Sequence, residues 1–123
     1  MKNRILTVDD EKRIADTCVL ILQSRGYEAM AVYDGESGIE ACRQFQPDLI
    51  ISDVIMPGLS GIEMAIRIRG EALPAKILLF SGQTATTDLL EKARSQGHSF
   101  DLLAKPVHPE ELLARVAQIL AEA

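Results

Sequence analysis

Five short apolar runs, each followed by a stretch with helical spacing, constrain this chain more than any other feature. The runs are Arg4 to Val8, Tyr27 to Val32, Leu49 to Ser52, Ile77 to Phe80 and Phe100 to Ala104. After the first, Ile14, Cys18, Ile21 and Leu22 recur at helical spacing, and Gly26 closes the helix. The turn signal Asp34-Gly35 leads into a helix marked by Ile39, Cys42 and Phe45, which must end before Pro47. Ile62, Ala65, Ile66 and Arg69 mark a third helix, and Leu89, Leu90 and Ala93 a fourth that stops near Gly97. The last is the clearest: His108 caps it, Pro109 suits its first position, and Glu110 and Glu111 suit its positive end. Leu112, Leu113, Val116, Ile119 and Leu120 then make one apolar face. This alternation predicts an α/β fold, a mostly parallel sheet with helices on both faces. Right-handed crossovers reduce its topology to a few doubly wound arrangements.

The length, 123 residues, fits one domain spanning residues 1–123, and the sequence carries no linker, repeat or low-complexity tract. With 47% apolar residues the domain can build its core without a disulfide or a metal. A net charge of −5 argues against direct binding to nucleic acid or an anionic membrane, whose phosphates it would repel. No apolar run approaches the roughly 20 residues that span a bilayer. Asp9 and Asp10 also break the N-terminal apolar stretch before it could act as a signal-peptide core. Cys18 and Cys42 match no metal or redox spacing and read as buried, reduced thiols. A cytoplasmic location is the expectation.

The polar residues sit where the apolar runs stop. The first run ends at Asp9-Asp10, the third at Asp53, the fourth at Ser81 and the fifth at Lys105. In an open parallel sheet the C-terminal strand ends share one edge, where ligands bind. Each residue alone could be a cap or a solvated loop side chain. Together they predict three carboxylates, a hydroxyl and an ammonium converging on one site.

Three carboxylates at close quarters repel one another and need a cation. Oxygen donors without His or Cys suit a hard ion, Mg²⁺ or Mn²⁺. A carboxylate beside such an ion can attack a phosphoryl group, giving an acyl phosphate. Lys105 and Ser81 could then neutralise and hydrogen-bond the phosphoryl oxygens. A nucleotide or flavin site would instead place a Gly-rich or Ser/Thr-rich loop after the first run, where Asp9-Asp10-Glu11 stands. A metal-dependent phosphatase would need a general acid near its nucleophile, and Ile55, two residues beyond Asp53, cannot be one.

These residues, in ILTVDDE, PDLIISDVIMPGLSGIE, LLFSGQ and LLAKP, make the chain strongly resemble the receiver domain of bacterial two-component response regulators, of the chemotaxis-regulator kind. The resemblance covers about residues 3 to 121. It implies a flavodoxin-like (βα)5 three-layer sandwich with strand order 2-1-3-4-5. It makes Asp53 the phosphoacceptor. Asp10 would bind Mg²⁺ directly, Asp9 largely through water, and the Ile55 backbone carbonyl would be a further ligand. Ser81 takes the place of the hydroxyl residue that moves to the phosphoryl group, Lys105 would contact that group, and the bond before Pro106 would be cis.

The implied role is a phosphoacceptor switch in a phosphorelay rather than a turnover enzyme. Its partners would be a sensor histidine kinase or histidine phosphotransfer protein and a downstream effector or output domain. A homodimer, an attachment to a larger regulator or hybrid kinase, and a phosphorylation-independent pseudo-receiver are the readings left open.

Two positions depart from the family pattern. Receivers commonly carry Tyr or Phe where this chain has Leu102, and Phe100 on the same strand face is two residues away. Activation is therefore expected to proceed without an aromatic gate. Ile55 and Gln83 flank the expected phosphoryl position, and an apolar Ile55 cannot orient a hydrolytic water, so a long-lived phospho-Asp53 is expected. Gly82 leaves room for a phosphodonor. His98, Met30, Met56 and Met64, and the Arg13, Lys92 and Arg94 charges read as ordinary loop, core and solvated-face residues.

Overall fold

In the computed structural model, which describes residues 3–82 and 84–122, five strands alternate with five helices. In chain order they are β1 (Arg4–Val8), α1 (Lys12–Gln23), β2 (Glu28–Val32), α2 (Gly35–Phe45) and β3 (Leu49–Asp53). There follow α3 (Gly61–Gly70), β4 (Lys76–Ser81), α4 (Thr84–Ser95), β5 (Asp101–Ala104) and α5 (Pro109–Ala121). All strand pairs are parallel and the order is β2-β1-β3-β4-β5. This is the flavodoxin-like α/β sandwich that the sequence pattern and the resemblance predict.

The central strands are buried on both faces, and alternate side chains go to opposite layers. Ile5, Leu49, Ile51, Leu78 and Phe80 pack with Leu22 of α1 and with Leu112, Val116 and Ile119 of α5. Leu6, Val8 and Ile50 face the other way, against Ile39 and Cys42 of α2 and Met64 and Ile68 of α3. Ile77 and Leu79 complete that second layer with Ile62, Ala65 and Ala93. Each such large side chain contributes about 1.5–3 kcal/mol on burial, so the two layers hold the sheet rigid beneath its polar edge. Met56 and Met64 are buried and Met30 packs partly against them, as packing residues rather than ligands.

Some boundaries differ from the sequence reading, each for a local reason. β2 starts at Glu28 because the Tyr27 N–H bonds the Leu22 carbonyl, closing α1 through Gly26 at φ 85°. β5 starts at Asp101, so Phe100 is not on the strand; its ring packs beside Ala93 and Leu90, with the Arg69 guanidinium 4.2 Å from its centre. Asp34 is the N-cap of α2, its carboxylate accepting from the Ser37 N–H. His108 occupies the N-cap position of α5, but its side chain makes no capping bond, and its backbone carbonyl alone accepts from Leu112. Ile14, expected on a core face, is 36% exposed on α1. No helix among the described residues is long and apolar enough to cross a membrane.

Candidate functional site

The parallel register brings the polar strand ends together. Val8 pairs with Ser52, so Asp9 follows level with Asp53, the last residue of β3. Asp53 pairs with Phe80, which sets Ser81 one residue farther along the edge, opposite Ala104. Lys105 then leaves β5 with its N–H bonded to the Ser81 carbonyl at 3.0 Å. One carboxylate oxygen each from Asp9, Asp10 and Asp53 lies within 4.8 Å of the other two. The Lys105 Nζ donates to Asp53 Oδ2 at 2.6 Å. The bond between Lys105 and Pro106 is cis.

Three carboxylates face one ammonium here, so the site carries an unbalanced negative charge. Asp9 is buried while Asp10 is exposed. Burial pushes the Asp9 carboxyl above the ordinary carboxylate range; the Glu11 N–H, donating to its Oδ1 at 2.9 Å, opposes this, and the Asp53 charge adds to it. Structures tolerate such crowding where a cation is to be held. The donor set, all carboxylate oxygen with one face open at Asp10, fits a hard divalent ion such as Mg²⁺. Ile55 lies beside it, its N–H 3.4 Å from Asp53 Oδ1 and its side chain 45% exposed.

The loop after β3 is held by groups the sequence pattern does not single out. Ser52 is fully buried, and its hydroxyl donates to the Asp53 carbonyl at 2.9 Å. The Gly61 N–H donates to the Val54 carbonyl at 2.9 Å, folding the start of α3 back onto β3. A Cβ at Gly61 would come within 2.1 Å of the Asp53 carbonyl oxygen, so no other residue fits there without moving Asp53. The lone Ser in the apolar run LIIS is the readable signal, since a buried hydroxyl must find a partner. Ser60 and Glu63 add a reciprocal capping box at the start of α3.

Cys18 and Cys42 are buried free thiols, and burial pushes Cys18 up to about 11, which keeps it unreactive. Leu102, expected to be an atypical switch position, sits on β5, 38% exposed. Phe100, anchored beyond the opposite end of the strand, cannot replace it. Gln83 lies outside the described residues.

Residues 5–117 match the family described as the response regulator receiver domain. The DNA-binding response regulator MtrA of Mycolicibacterium paratuberculosis is 32% identical over 116 residues, which is 94% of this chain and 50% of that protein. The chain spans about half the length of the curated relatives it matches. A putative response regulator from Chloroflexus aurantiacus J-10-fl has a similar structure, with TM-score 0.85 and 32% identity over 99% of this chain and 100% of that one. The chemotaxis protein CheY4 of Vibrio cholerae gives TM-score 0.85 at 28% identity, covering 97% and 99% of the two chains.

Proposed function

The chain belongs to the response regulator receiver domain family, and on that premise we propose that it is a phosphoacceptor switch whose nucleophile is Asp53. The observation that carries this reading is the Lys105–Asp53 ion pair at 2.6 Å, set against a three-carboxylate cluster drawn from separate parts of the chain. An Asp53 oxygen attacks the phosphorus of a phosphohistidine on a sensor kinase or phosphotransfer protein. The P–N bond breaks as the O–P bond forms, and the imidazole leaves with a proton from solvent. Asp9, Asp10 and Asp53, with the Ile55 carbonyl as a further donor, would hold Mg²⁺, which would supply the positive charge that lets an anionic donor meet an anionic acceptor.

Lys105 holds Asp53 in place before transfer and turns to the phosphoryl oxygens after it. The Ser81 hydroxyl is the second group that meets them. Both sit where β4 and β5 end, so the new contacts bias the backbone there, and an effector protein or output domain reads the altered surface. With Leu102 exposed and Phe100 anchored away from the site, β5 supplies no aromatic ring to the switch. The domain passes its phosphoryl group on or loses it to water, and is a switch rather than a turnover enzyme. The name of the MtrA relative records DNA binding for a protein twice this length. This acidic domain itself is proposed to work in the cytoplasm without direct nucleic-acid contact.

Incubation with acetyl phosphate and Mg²⁺, followed by mass spectrometry of the intact protein, tests the reading. One stoichiometric addition of about 80 Da is expected, the mass of a phosphoryl group on the nucleophile. A folded protein that takes up none would be a pseudo-receiver, and steady hydrolysis of phosphate esters would mean a phosphatase. The lifetime of the adduct follows from Ile55, whose apolar side chain cannot orient water. Ile55→Asn is expected to hasten loss of the group about tenfold, less than the roughly 10²–10⁴-fold of a full general base, because an amide orients water without taking its proton. Loss measured by phosphate release that is as slow in the variant as in the parent would refute that role.

A further inference from the structure

Asp53 ends β3 and Lys105 follows β5, with β4 between them in the sheet. Neighbouring strands lie about 4.8 Å apart, so the Lys105 stem must reach out to meet the Asp53 side chain across a gap of roughly 9.6 Å. It does so over the end of β4, where the chain continues from Ser81 into Gly82. The Lys105 backbone cannot shift to shorten the path, because its N–H is bonded to the Ser81 carbonyl at 3.0 Å. A Cβ built on Gly82 would meet Lys105 Cβ at 2.8 Å, and Lys105 Cγ and Cδ at 3.3 Å. These are its three nearest neighbours, and all belong to the Lys105 stem. The closest is the atom next to the backbone, which no rotation of the side chain moves aside.

We propose that Gly82 is a positioning residue: its missing side chain is the track along which the Lys105 stem crosses β4 to set its ammonium on Asp53. The inference rests on the phosphoacceptor reading and deepens it. It goes beyond the expectation that Gly82 leaves room for a phosphodonor. Gly82 does not hold a left-handed backbone, unlike Gly26, Gly58 and Gly97. Alanine at this position therefore strains no dihedral angle, and its effect travels through Lys105.

A four-protein cycle tests this, comprising the parent, Gly82→Ala, Lys105→Gly and the double variant. Three quantities are read: the thermal midpoint, the rate of phosphoryl uptake from acetyl phosphate with Mg²⁺, and the Nζ–Oδ2 separation in crystals of Gly82→Ala. Gly82→Ala is expected to slow uptake about tenfold or more, since small misplacements of a catalytic group cost this much. It should also lower the midpoint and lengthen the 2.6 Å contact beyond hydrogen-bonding range. In the Lys105→Gly background, which removes all three contacting atoms, the same substitution should change neither rate nor midpoint.

If alanine slows uptake equally in both backgrounds, Gly82 controls donor access and the proposal is wrong. Retention of the short contact in the Gly82→Ala crystal also overturns it. A parent protein that takes up no phosphoryl group would remove the phosphoacceptor reading alone. The contact distance and the melting cycle would still decide whether Gly82 positions Lys105.

Discussion

Asp53→Asn is expected to take up no phosphoryl group from acetyl phosphate at any Mg²⁺ concentration, while melting no lower than the parent. The substitution keeps the shape of the side chain and removes the charged oxygen that forms the O–P bond. An amide oxygen is a far weaker nucleophile, and among the described residues no other carboxylate is paired with Lys105. The fold should tolerate the change, because Asp53 belongs to a cluster of three carboxylates whose mutual repulsion falls when one is neutralised. The lost ion pair with Lys105 works in the opposite direction. The Lys105 side chain is 34% exposed and that of Asp53 13%, so solvent screens the pair only in part, and its loss offsets part of the relief of repulsion without exceeding it.

The other two aspartates separate nucleophile from metal ligand. Asp9→Asn and Asp10→Asn leave Asp53 able to attack, so their uptake should be slow at low Mg²⁺ and partly restored as the ion is raised. Asp53→Asn should not respond. Intact-mass spectra across a Mg²⁺ series distinguish the two behaviours. An adduct on Asp53→Asn at the parent rate, or one mapped to Asp9 or Asp10, would remove Asp53 from its assigned role.

How far the sequence carries depends on the kind of information each element uses. The strands and helices were legible because burial writes itself as periodicity. Runs such as Leu49–Ser52 and faces such as Leu112, Leu113, Val116 and Ile119 stand out in a single sequence. The convergence of Asp9, Asp53, Ser81 and Lys105 was legible for a topological reason, since parallel strands put their C-terminal ends on one edge. Ladder starts were less so. Tyr27 looks like a strand residue, yet its N–H belongs to the closing turn of α1. Phe100 looks like part of β5, yet its ring answers to Arg69 and the apolar layer beneath α4. Phe100 depends on contacts distant along the chain, which local propensity does not contain, whereas Tyr27 is claimed by a local turn that competes with the strand pattern.

The close approaches were the least legible. Nothing in the string PGLSGIE says that Gly61 touches the Asp53 carbonyl, and nothing in FSGQ says that Gly82 carries the Lys105 stem. A glycine in a sequence reports freedom at that point without saying who uses the space. The stem of Lys105, with its ammonium at one end and a backbone bond to Ser81 at the other, shows who does. The site is thus set by two backbone contacts as much as by its five polar side chains.

The crowding of charge leads to the second large effect, on stability. Mg²⁺ at about one hundred times its dissociation constant should stabilise the fold by about 2.7 kcal/mol, because it binds the assembled carboxylates and not the unfolded chain. For a domain of 123 residues this corresponds to a rise of roughly 10 °C in melting temperature, from the usual unfolding entropy per residue. Ca²⁺, larger and content with looser geometry, should give a smaller rise at equal concentration. Asp10→Asn removes the exposed member of the cluster, whose oxygen lies within 4.8 Å of both others. Each such pair repels by about 3.5 kcal/mol at an effective dielectric of 20, and solvent at an exposed site reduces the net gain to the order of 1 kcal/mol. The metal-free variant should therefore melt higher than the metal-free parent, and its rise with Mg²⁺ should shrink to a small fraction of the parent's. The two changes have opposite signs and one cause. A metal-free Asp10→Asn protein that melts lower than the parent would show that the carboxylates stabilise the apo site, contrary to the charge balance. An undiminished Mg²⁺ response in that variant would place the ion somewhere other than the Asp9, Asp10 and Asp53 cluster. Differential scanning fluorimetry with and without EDTA reads both.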